Sequence, residues 1–65
     1  MAVSAADIEK SISGIDFPAS KQDLISTAKE HHAQQDVITT LQNFPERKYN
    51  TAVDVSKAFG EIKKE

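Results

Sequence analysis

The stretch Thr51-Ala52-Val53-Asp54-Val55-Ser56-Lys57-Ala58-Phe59-Gly60-Glu61-Ile62-Lys63 decides the fold class. Its apolar side chains Val55, Ala58, Phe59 and Ile62 recur at i, i+3, i+4 and i+7, the stripe that one face of an α-helix presents to a core. The stretch predicts a helix over Ala52–Lys63. Thr51 supplies a hydroxyl acceptor at the start, and Asp54 lies three residues on, which is the spacing of a capping box with Asp in place of the commoner Glu. Val53 falls roughly 160° from the core stripe, so it faces solvent in a monomer or a neighbour in an assembly.

The same two signals repeat upstream. Ser4 with Asp7 opens a helix from Ala5 to Ser13, where Ala5, Ile8, Ile12 and Ile15 share a face and Gly14 provides a left-handed stop. Ser20 with Asp23 opens a second helix from Lys21 to His31 with Leu24, Ile25 and Ala28 inward. A third, Gln35 to Gln42, carries Val37, Ile38 and Leu41 and ends before Pro45, which forbids continuation. Its start, Ala33-Gln34-Gln35, lacks a good cap. Two Pro-containing segments, Gly14–Ala19 and Asn43–Asn50, separate the helices, and no run alternates apolar with polar residues as a strand would. The expectation is an all-α fold, a small bundle of four short helices forming a single domain over 1–65, with Ile8, Ile12, Leu24, Ile25, Ala28, Ile38, Leu41, Phe44, Val55, Phe59 and Ile62 as its core.

Composition narrows the function. The chain has 65 residues and no cysteine, with eight Lys plus Arg against ten Asp plus Glu and a net charge of −2. Such a chain leaves little room to enclose a catalytic cleft, and it lacks the basic excess that holds a phosphate backbone. No apolar run is long enough for a membrane span or the h-region of a signal peptide, so the expected setting is cytoplasmic, with no membrane. Gly14 and Gly60 are the only glycines, which excludes a Gly-rich phosphate loop. His31 and His32 are the only imidazoles. Adjacent helical residues point about 100° apart and cannot chelate one ion, so the pair reads as the border of the second helix, with no metal, cofactor or catalytic residue expected.

These residues together resemble a bacterial family known only as domain of unknown function 2795. The resemblance rests on Ile15-Asp16-Phe17-Pro18-Ala19-Ser20-Lys21, then Leu24, Ala28, Ala33, Val37-Ile38, Leu41, Pro45, Tyr49, Asp54-Val55 and Ala58, and covers about residues 8 to 59. It implies a short bacterial helical domain and attaches no activity. His32 stands where members often have Gly before the alanine of the mid-chain turn, and Ala52 stands where many have Pro.

The surface is then the working part. The segment Phe44–Tyr49 combines a rigid turn, two aromatics and two adjacent cations, chemistry that carries binding energy at interfaces. Pro45, Arg47, Lys48 and Tyr49 are the candidate partner-binding residues of a non-catalytic interaction module, whose partner is an unidentified protein or a second copy in a homodimer. The structural reading of the same segment is that Phe44 and Tyr49 turn inward to close the core, leaving Arg47 and Lys48 solvated. An alternative function is a helix-turn-helix-like nucleic-acid-binding domain, with Gln34, Gln35, Thr39, Thr40 and Gln42 meeting the nucleic acid. Nucleic acid is disfavoured because the third helix has no Arg or Lys.

Overall fold

The computed structural model describes residues 3–63. Four helices follow in order: α1 (Ala5–Ser11), α2 (Lys21–Glu30), α3 (Gln35–Gln42) and α4 (Ala52–Lys63). α2 packs on α3, and α1 packs on both α3 and α4. The fold is an all-α bundle.

The helix starts follow from the caps. Ser4 Oγ accepts from the Asp7 amide at 3.2 Å while Asp7 Oδ2 accepts from the Ser4 amide at 3.0 Å, and Ser20 with Asp23 repeats both distances. Each reciprocal pair satisfies two amides that a helix start leaves without partners. At α4 the device differs from expectation. Thr51 Oγ1 accepts from the Asp54 amide at 3.3 Å, but Asp54 Oδ2 reaches past Thr51 to the amide of Asn50 at 3.0 Å. α3 has Gln34 at its N-cap with no side-chain hydrogen bond. This short helix is held by its apolar face, with Val37, Ile38 and Leu41 all buried.

Two helices stop earlier than the sequence suggests. α1 ends at Ser11, not Ser13, because the chain turns through Ile12 and Ser13 into Gly14, whose φ of +83° is left-handed as a stop signal requires. α2 ends at Glu30, with His31 as its C-cap. The next amides close a Schellman motif: His32 N–H donates to Lys29 O and Ala33 N–H donates to Ala28 O, both at 3.0 Å. His32 occupies the left-handed position of that motif with φ +58°, where glycine is favoured.

The core holds Ile8, Ile12, Leu24, Ile25, Ala28, Ile38, Leu41, Phe44, Val55 and Phe59, as the helical spacing predicts. Ile62 is half-buried and packs against this cluster instead of lying inside it. Val37, Ala58, Ala19 and Tyr49 complete the core. The last two come from the Pro-containing segments. Ala19 and Tyr49 form an isolated antiparallel β-bridge, each donating its amide to the other's carbonyl at 2.8 and 2.7 Å. No ladder extends from it among the described residues. The Phe17–Pro18 peptide is cis.

Candidate functional site

The bridge brings the two Pro-containing loops side by side. Pro18, Ala19 and Ser20 from the first loop, Asp23 of α2, and Glu46, Arg47 and Lys48 from the second loop line an open depression of about 390 Å³. The first loop contributes backbone and the cap of α2. The second contributes side chains, and it is fixed from three directions.

From inside, Tyr49 has no exposed surface. Its ring lies 6.0 Å from that of Phe44, centroid to centroid, at an interplanar angle of 48°, a tilted pair within the range of favourable aromatic contacts. Its hydroxyl donates to Pro45 O at 2.7 Å, so the loop closes on itself through a buried aromatic. Burial raises the phenol above its ordinary pKa, since the charged phenolate is the form that loses hydration. From α4, the Glu61 carboxylate takes Arg47 bidentately, with Nη2 to Oε1 at 2.7 Å and Nη1 to Oε2 at 3.4 Å. That hydrogen bonding raises the Arg47 guanidinium further above its already high pKa, and the group is charged at any working pH. From α2, Lys21 Nζ lies 3.7 Å from Glu46 Oε2.

The four candidate residues therefore separate. Tyr49 is a core residue and cannot present its ring or hydroxyl to a partner; the inward-turning reading of this side chain is the one the packing supports. Pro45 is half-buried and offers its carbonyl to Tyr49. Arg47 is exposed, yet its fork is occupied by Glu61. Lys48 is exposed and makes no ion pair among the described residues. Sequence reading missed the part played by Pro18, Ala19 and Ser20, because pairing of residues 19 and 49 is a backbone event with no side-chain periodicity to announce it. Pro in both segments was the available signal that neither is helical.

The histidines lie elsewhere. His31 and His32 are both exposed and line a depression of about 470 Å³ with Asp7, Lys10, Gln34 and Asp36. Among the described residues no three His, Cys, Asp or Glu side chains are grouped so as to hold a metal ion. None of the described helices is long and apolar enough to cross a membrane.

A family model described as protein of unknown function (DUF2795) matches residues 3–56. Neither the curated proteins nor the solved structures give a match. The chain belongs to the DUF2795 family.

Proposed function

We propose that this member of the DUF2795 family is a non-catalytic protein-interaction module of the bacterial cytoplasm, which takes an acidic segment of a partner protein at the depression between its two Pro loops. The observation that carries this reading is the state of Lys48. It is an exposed, unpaired cation on a loop whose neighbours are buried, hydrogen-bonded or ion-paired. A platform already fixed in place loses little conformational freedom on binding, so the contacts it makes are available as affinity. A partner carboxylate meeting Lys48 also meets the positive edge of the Arg47–Glu61 pair beside it. The exposed side of α3 carries Gln35, Asp36, Thr39 and Gln42 and no cation, and offers a phosphate backbone nothing comparable.

The test uses the whole chain as bait in extracts of its native host, in parallel with Lys48→Glu. Lys48 is exposed and makes no ion pair or side-chain hydrogen bond among the described residues, so the variant is expected to retain its helical spectrum. Partners captured by the parent are expected to be lost or bound at least about tenfold more weakly by the variant, with the difference shrinking as salt is raised. Equal capture by both overturns the assignment of the face. Retardation of mixed DNA and RNA at low salt by the purified chain would move the function to nucleic acid.

A further inference from the structure

We infer that the chain pairs with a second copy of itself through the outer side of α4, each copy inserting Val53 into a groove on the other. This face is distinct from the loop depression and its reading does not depend on that one.

Val53 is the one exposed large hydrophobic side chain among the described residues, with 62% of its surface open to solvent. It lines, with Ile12, Ile15, Phe17 and Ala52, a largely apolar groove of about 310 Å³ between α4 and the α1–α2 loop. The depressions at the Pro loops and the histidines are lined by charges of both signs. In this groove the only charged lining residue is Glu9. Its Oε2 accepts from Ser56 Oγ at 2.8 Å, and Oε1 has no hydrogen-bond partner among the described residues.

What covers the groove follows from the order of side chains around α4. Seen down the helix, Ser56 lies about 60° from Val53 on the side of the groove and α1, while Lys57 lies about 40° from Val53 on the other side. Lys57 is exposed and makes no ion pair among the described residues. A two-fold axis running along α4, between the groove and Val53, places each Val53 over the other copy's groove. The same rotation carries each Lys57 across to the neighbour's α1 edge, where Glu9 waits with a free oxygen. Knob and groove, cation and carboxylate thus occur once each on the same patch and in the order that a self-complementary interface needs. Ala52, Ser56 and Gly60 line up at four-residue intervals beside Val53. Open space surrounds Gly60, so a second backbone can come close along this edge.

Sedimentation velocity of the full chain over a dilution series up to about 1 mM, the range in which weak self-affinity is read, is the test. A reversible dimer is expected. Val53→Asp should raise its dissociation constant at least about tenfold. Glu9→Lys and Lys57→Glu should each weaken it, and the two together should restore it, since the swapped charges meet again across the interface. Lys48→Glu should leave the dimer unchanged, so failure of this inference is separable from failure of the loop reading. Should Val53→Asp lose its helical spectrum, the charge-swap set carries the test alone. A monomer throughout the series, a dimer indifferent to Val53→Asp, or single swaps that the double swap does not rescue would each overturn the proposal.

Discussion

The two connections that follow α2 and α3 solve the same problem with opposite chemistry. The α2–α3 turn is closed by backbone alone: two amide-to-carbonyl bonds of a Schellman motif, a histidine in a left-handed conformation and both imidazoles outside. The α3–α4 connection adds side chains to its backbone bridge with Ala19, with Phe44 and Tyr49 inside the core, a phenol bonded to Pro45 O, and Arg47 held by Glu61. A backbone-closed turn makes few demands on its residues. The side-chain-closed loop fixes most of its own residues, and this is why Lys48, left over, is informative.

The two connections differ most at Tyr49, which is fully buried while both imidazoles are exposed. Tyr49→Ala removes a fully buried aromatic and should cost about 3–5 kcal/mol, comparable with the entire stability of so small a domain. A urea titration followed by circular dichroism should find the variant largely unfolded, whereas replacing both histidines by alanine should leave a cooperative transition. Tyr49→Phe is subtler, removing only the hydroxyl bond to Pro45, with an expected loss of about 0.5–1.5 kcal/mol. It also separates a pH effect. The parent's phenol has a folded pKa raised above its unfolded value near 10, so the stability it contributes is full below about pH 10 and is lost as pH rises through the folded value. Tyr49→Phe should lack that alkaline slope; identical slopes in the two proteins would remove burial of the phenol from the account.

At the backbone-closed turn the expected sign reverses. His32→Gly relieves a left-handed penalty at the cost of a more flexible unfolded chain, and should stabilise by about 0.5–1 kcal/mol. A lower thermal midpoint in His32→Gly would mean that the imidazole makes a contact worth more than the strain. The smallest effect belongs to the surface pair. Glu61→Gln should shift the midpoint little, and the shift should fade in salt, because an exposed ion pair is screened.

Helix starts were legible in the sequence because Ser4, Ser20 and Thr51 announce them locally, and α3 and α4 run over the residues that the apolar spacing predicts. Helix ends were less so. A stop at Glu30 depends on the pair of amide bonds from residues 32 and 33, which no side chain at those positions advertises. Gly14 did advertise its turn, and the structure places a left-handed residue there. Within the site, the cations of the second loop could be read directly, since charge and position in a loop suffice to expose them. The burial of Tyr49 and Ala19 could not be decided by pattern, for each lies in an irregular segment where no period assigns a face. Their bridge spans thirty positions of chain and is made by backbone groups that every residue carries, so only the folded bundle selects the partners.

The two Pro loops are part of the core and not appendages to it. Native-state amide hydrogen exchange at Ala19 and Tyr49 tests this most directly, because both amides are donors in the bridge. If the loops open only when the bundle unfolds, these two amides exchange with the same free energy as those of Ala28 and Ala58 inside the helices. Exchange at Ala19 and Tyr49 that is orders of magnitude faster than at Ala28 and Ala58 would show loops that open on their own.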